Sequence, residues 1–201
     1  MAVNLEKGRK VNLQKSSQKQ LGEILINLNW NAKPAKRGLL SGLLGGNKPI
    51  DLDLGCLFEL KNGQKGTVQA LGNAFGSLDR APYIALDGDD RTGAVATGEN
   101  LRINGNMISQ IKRVLVYTFI YEGVANWQQA DATVTIKYPG AEDIIVKMDT
   151  FNSSLGMCGL VLFENVNDET FSVEKIVQFY RGHRDLDAAF NWGLRWVAGS
   201  K

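Results

Sequence analysis

Residues 51–60 read DLDLGCLFEL, and they alternate. Leu52, Leu54, Cys56, Phe58 and Leu60 fall on one face of an extended chain; Asp51, Asp53, Gly55, Leu57 and Glu59 fall on the other. A period of two marks a β-strand with its apolar face in a core. The same alternation puts both aspartates on one side, at the start of the strand. Asn62-Gly63 follows, a strong tight-turn dipeptide that predicts a hairpin partner around residues 67–71.

More strands are predicted on either side. ILINLNW (24–30) alternates, whereas VLVYTFIY (114–121) is apolar throughout and reads as a central strand covered on both faces. Residues 132–138, 144–148, 157–163 and 171–180 add further strands, with Tyr138-Pro139-Gly140 closing the first of these. Short strands separated by turn residues predict a two-sheet β-sandwich. At the end of the chain, Leu186, Ala189, Phe190, Leu194 and Val197 recur at helical spacing. Asp185 and Asp187 stand where a helix N-terminus favours negative charge. One amphipathic C-terminal helix packed on the sandwich is therefore expected.

The 201 residues, 44% hydrophobic and 22% charged, suit one globular domain with a proper core. We divide them into a basic N-terminal arm (1–10) and one sandwich domain (11–201) interrupted by a long loop at 31–49. The apolar centre of that loop, LLSGLL, reads as a lid, a docking patch or a segment tucked against the core. No apolar run reaches bilayer length, and the start lacks the pattern of a signal peptide. Cys56 and Cys158 sit in apolar strand runs and read as two reduced core thiols. Residues 1–50 carry nine Lys and Arg against two acids, and the remainder is net acidic. The basic part suits an anionic partner or a solvated arm; without interleaved aromatics it is a weak nucleic-acid signal.

The chemistry concentrates in LDGDDRTGAVATGEN (86–100), with Asp87, Asp89, Asp90, Glu99 and Asn100 among glycines and threonines. Carboxylates with nearby backbone carbonyls suit a hard cation, above all Ca²⁺, and Asp51 and Asp53 add to the set. An EF-hand started at Asp87 fails, because Thr92 falls at the turn glycine and Gly98 at the bidentate acid. The alternative is a solvated turn, since Asp and Asn favour turns in their own right. His183 is the sole histidine and suits packing or capping better than catalysis. No P-loop, GxSxG or HExxH is present, so we expect no enzyme.

In order along the chain, four pieces resemble the TerD family of bacterial tellurite-resistance and stress proteins. They are ILINLNW followed by DLDLGCLFEL; the GDDRTG loop; RVLVYTFIYEGVANWQQADATVTI; and the closing strand that runs through Tyr180 into a glycine and a helix. The resemblance spans roughly residues 11–197. It implies a calcium-binding β-sandwich in which Asp51, Asp53, Asp89 and Asp90 are ligands, with Asp87 as an extra one. The family's second acidic run, Gly-Asp-Asp-Glu, stands here as Gly98-Glu99-Asn100-Leu101. One or two ions are therefore expected, in a divergent member closer to the TerA branch. The resemblance further implies a non-enzymatic stress module in the cytoplasm or peripheral to the inner membrane. Its partners would be proteins, including other tellurite-resistance proteins, with membrane-surface contact as a further option. The alternative function is a calcium-independent module that uses the basic N-terminal region on membrane or nucleic acid.

Overall fold

The computed structural model describes residues 2–15, 20–31, 50–87, 98–122, 127–152 and 154–197. Their strands are β1 (Ala2–Asn4), β2 (Lys10–Asn12), β3 (Glu23–Asn29), β4 (Asp51–Leu60), β5 (Lys65–Gln69), β6 (Gly76–Ser77) and β7 (Ile84–Leu86). They continue with β8 (Glu99–Asn104), β9 (Ile111–Glu122), β10 (Thr133–Lys137), β11 (Asp143–Lys147), β12 (Met157–Val166) and β13 (Thr170–Tyr180). Two short helices, α1 (Trp127–Ala130) and α2 (His183–Ala189), accompany them.

The strands form two sheets, as the alternation predicts. Sheet A has the order β1-β11-β10-β3-β8-β7-β6, and sheet B the order β2-β13-β12-β9-β4-β5. All ten residues of β4 are buried. Its even positions, Leu52 to Leu60, join the core between the sheets. Its odd face is covered as well: Leu57 packs with Leu115, Tyr117, Leu186 and Trp192 on the outer side of sheet B. β9 behaves alike, with Val114 and Val116 turned inward and Leu115, Tyr117 and Phe119 outward. This double cover explains why VLVYTFIY shows no alternation.

The expected hairpin is present. Gly63 takes φ 87°, and β5 pairs back on β4 with Thr67 opposite Leu57. Cys56 and Cys158 are free and buried, on strands β4 and β12 that flank β9. Burial pushes the Cys56 thiol up to about 12 and the Cys158 thiol higher still, so neither is a ready nucleophile.

Two features differ from the sequence reading. Residues of the basic arm are built into the sandwich: β1 lies parallel to β11 in sheet A and β2 antiparallel to β13 in sheet B. Buried Leu5 anchors the crossing, its amide donating to the Ile145 carbonyl at 2.9 Å. The C-terminal helix is also shorter than its periodicity predicts. It stops at Ala189, so Leu194 and Val197 lie outside it and Val197 is exposed. Asn191 and Gly193 adopt positive φ and turn the chain. The Asp187 carboxylate then accepts the Gly193 amide at 2.8 Å, the Leu194 amide at 2.9 Å and the Trp196 indole N–H at 3.1 Å. Three local bonds to one buried acid outweigh another helical turn. Residues 32–49 of the expected long loop lie outside the described residues. Among the described residues, no helix is long and apolar enough to cross a membrane.

Candidate metal centre

Strand register gathers the acids at one end of the sandwich. In sheet A, Glu99 stands opposite Leu28, and Asn29 opposite Thr133. In sheet B, Asp51 stands opposite Glu122 and Asp53 opposite Phe119. Asp51 and Asp53 share the outer face of β4 with Leu57, and both are buried, Asp53 completely. One oxygen of each carboxylate, Asp51 Oδ1 and Asp53 Oδ2, is buried with no donor bonded to it, while the residues themselves are held by other interactions. Two like charges this close in sequence, on one buried face, suit a cation in kind: hard oxygen ligands, shielded from water.

Glu99 comes from the opposite sheet. It is 3% exposed, and its Oε2 accepts the Leu54 amide at 2.5 Å. Asn100 faces the other way, onto the outer side of sheet A, where its Oδ1 accepts from Asn27 Nδ2 at 2.8 Å. Asp87 is on that outer side too. Its carboxylate takes Arg102 Nε at 2.6 and 2.8 Å and Nη2 at 2.6 Å, while Arg102 Nη1 reaches Glu23 Oε1 at 2.5 Å. The bonds to Asp87, and after them the one to Glu23, raise the guanidinium pKa above its usual value. Asp89 and Asp90 lie outside the described residues. Among the described residues, no group of three or more His, Cys, Asp or Glu side chains converges as a metal site. The described donors therefore fit a hard cation in type and are incomplete in number.

Sequence reasoning passed over Arg102 and Glu23. It also left Glu99 in a loop, although a signal was present: ENLRIN alternates, with Leu101 and Ile103 buried and Asn100, Arg102 and Asn104 partly exposed. That pattern puts Glu99 on the apolar face.

Beside Asp53 runs a buried polar chain. The Tyr117 ring lies over Gly55, where a Cβ would come within 2.7 Å of it. Tyr117 donates its hydroxyl proton to Gln69 Oε1 at 2.7 Å, and its oxygen is 2.8 Å from Thr67 Oγ1. His183 Nε2 is 3.0 Å from the same Gln69 oxygen. An amide oxygen only accepts, so neutral His183 carries its proton on Nε2. The imidazole packs against Phe119, Tyr117 and Trp196, with ring centroids 5.0, 5.4 and 4.8 Å away. This is the packing role the sequence suggests.

Burial lowers the His183 pKa to about 4 from the ordinary 6.5. The unfolded chain then takes up the proton first as pH falls. Stability is full above the unfolded value and is lost progressively between about 6.5 and 4, by on the order of 2–3 kcal/mol at the lower end. Denaturant titrations from pH 7 to 4 should show this slope, and His183→Gln should flatten it. An equal slope in both proteins would count against the assignment.

The architecture defines a class: a two-sheet β-sandwich with buried acids at its loop-bearing end. The chain belongs to the TerD family, whose TerD domain matches residues 1–137. It is 46% identical over 180 residues to the tellurium resistance protein TerA of an Alcaligenes species, covering 90% of this chain and 53% of that protein. It is 32% identical over 132 residues to the stress response protein SCP2 of Bacillus subtilis (strain 168), covering 64% and 65% of the two chains. The chain thus spans about half the length of TerA. Two solved structures share the fold. One is SAV2460, a protein of unknown function (TM-score 0.61, 14% identity, 84% of this chain and 95% of that one). The other is SCO6318 of Streptomyces coelicolor A3(2), described as a homologue of telluride resistance protein TerD (TM-score 0.54, 16% identity, again 84% and 95%). Strands β12 and β13 lie beyond the matched region yet are inner strands of sheet B, so the fold is completed outside it.

Proposed function

We propose that this chain is a calcium-binding, non-enzymatic stress-response module of the tellurium-resistance family that works through protein partners in the cytoplasm. The observation that carries the reading is the Asp51 and Asp53 pair, buried on one face at the loop-bearing end of β4. Two carboxylates buried on one face of a strand favour positive charge beside them. A bound divalent cation supplies such charge and ties separate segments of chain through shared oxygen ligands. Asp51 and Asp53 would hold it, and Asp89 and Asp90 would complete the set. Asp87 and Arg102 tie the end of β7 to β8, while Glu23 extends the ion pair to β3.

The alternative, a calcium-independent surface on the basic arm, draws little support from the arm's described cations. Lys10 pairs with Glu164 and Glu174, each at 3.0 Å, Lys15 with Glu169 at 3.9 Å, and Lys7 Nζ donates to the Val177 carbonyl at 3.3 Å. Lys10 and Lys15 thus meet acidic partners within the fold, whereas Lys7 bonds a neutral carbonyl.

Thermal unfolding tests the proposal. A ligand at 100 times its Kd stabilises the folded state by about 2.7 kcal/mol. Chelator-stripped protein should therefore melt several degrees higher in millimolar Ca²⁺ than in chelator, with a smaller shift in Mg²⁺. Identical curves in Ca²⁺ and chelator would remove the proposal.

A further inference from the structure

We propose that the cavity between residues 181–185 and 196–197 binds a nucleoside phosphate, with Arg181 and Arg184 taking the phosphate and the Trp196 and His183 rings taking the base. The cavity is open, measures about 410 Å³, and is lined by these four side chains together with Asp185 and Val197. That volume is in the range of small-molecule sites. Its lining sets two arginines against one acid. Arg181 is 86% exposed, with Nε 3.8 Å from Asp185 Oδ2. Arg184 is exposed as well and reaches the Trp196 carbonyl from Nη2 at 3.5 Å. These contacts are long, and both guanidiniums are within reach of solvent. A guanidinium presents a planar fork of donors that matches phosphate oxygens and is more weakly hydrated than an ammonium.

The aromatic part of the cavity is held in place from below. The Trp196 indole N–H donates to Asp187 Oδ2 at 3.1 Å, and that carboxylate also binds the Gly193 and Leu194 amides. The Trp196 ring lies 4.8 Å from the His183 ring, tilted by 43°. His183 is fixed in turn by the Gln69 oxygen at 3.0 Å and by the Phe119 and Tyr117 rings. Buried His183 is neutral at pH 7, so the positive charge of the lining comes from its arginines. Trp30, Trp127 and Trp192 are buried, whereas Trp196 keeps part of its surface open. A rigid, partly open aromatic surface beside two guanidiniums suits a ligand with a flat ring at one end and negative oxygens at the other. Bases stack on aromatic rings irrespective of sequence, and phosphate supplies the charge. Asp185 opposes such a ligand, because it competes for Arg181 and repels the anion.

The site is independent of the calcium reading, so ADP would be titrated calorimetrically into the full chain in chelator. ADP should bind with a Kd below about 1 mM, and inorganic pyrophosphate, which has no ring, at least about tenfold more weakly. The exposed pair Arg181→Gln/Arg184→Gln should lose at least about tenfold in ADP affinity. Asp185→Asn should gain about threefold or more, an increase that damage to the fold would not produce. Arg195→Gln, an exposed neighbour outside the lining, should stay within about twofold of the parent. ADP should also quench tryptophan fluorescence in the parent and not in Trp196→Phe. No ADP binding at millimolar concentration would overturn the proposal. So would pyrophosphate binding as tightly as ADP, or a loss in Arg195→Gln equal to that of the double variant, since either would reduce the site to general attraction of anions. Vesicles containing phosphatidylglycerol form the last arm. Binding to them that is lost in the double variant, in a protein that ignores ADP, would make the arginines a lipid contact and overturn the nucleotide assignment.

Discussion

Asp53→Asn should weaken Ca²⁺ binding by at least about 100-fold while leaving the chain folded. Asp53 has no exposed surface, and in such a site each carboxylate counts for more than it would in water. Asn keeps the shape and one oxygen but not the charge. It also removes one of two carboxylate charges buried on the same strand face. The metal-free variant should therefore be at least as stable as the metal-free parent. The combination is diagnostic: affinity falls while stability in chelator holds or rises. An affinity equal to the parent's would show that Asp53 is buried for some other reason.

The second large effect concerns the far end of the same strand. Trp192→Ala should cost about 3–5 kcal/mol of folding stability. Trp192 is 1% exposed. Its indole N–H donates to the Phe58 carbonyl at 2.9 Å, and its own carbonyl accepts Lys65 Nζ at 2.9 Å. The Arg113 guanidinium lies 3.8 Å from the ring centroid. Arg113 also reaches Glu59 Oε2 at 2.6 Å and the Phe190 carbonyl at 3.0 Å. Removing the indole opens a cavity, leaves a buried carbonyl without that donor and loosens a guanidinium that holds the chain after α2. Trp192→Phe keeps most of the packing and should cost about half as much. Denaturant midpoints measure both. A loss below about 1 kcal/mol for the alanine variant would mean that residues 190–197 contribute little to the fold.

Where a strand has one apolar face, the alternation is visible in the sequence. DLDLGCLFEL could therefore be placed residue by residue, and with it the common direction of Asp51 and Asp53. VLVYTFIY could be read as doubly covered because it lacks alternation. The short strands were harder. Ala2–Asn4 is exposed along its whole length and exists because β11 offers it an edge, a fact that three residues cannot announce. Ile84–Leu86 and Glu99–Asn104 flank a glycine-rich acidic stretch whose composition reads as one long loop. Asp87 shows the deeper limit. As an acid in an acidic loop it reads as a ligand, yet its carboxylate is tied to Arg102, fifteen residues on, and the cation's other acid, Glu23, is 79 residues away from it. Pairings of that kind belong to register, which local pattern does not encode. At the C-terminus the helical periodicity was real, but Asp187, Asn191 and Gly193 offered the backbone a better set of bonds.

Calcium titration by calorimetry on chelator-stripped protein, with Mg²⁺ as the control, tests the central claim most directly. Binding at micromolar Kd or tighter, selective for Ca²⁺ and lost in Asp53→Asn, is the expected result. No heat at millimolar Ca²⁺ would contradict it: the chain would then keep the family's sandwich and its buried acids without the ion.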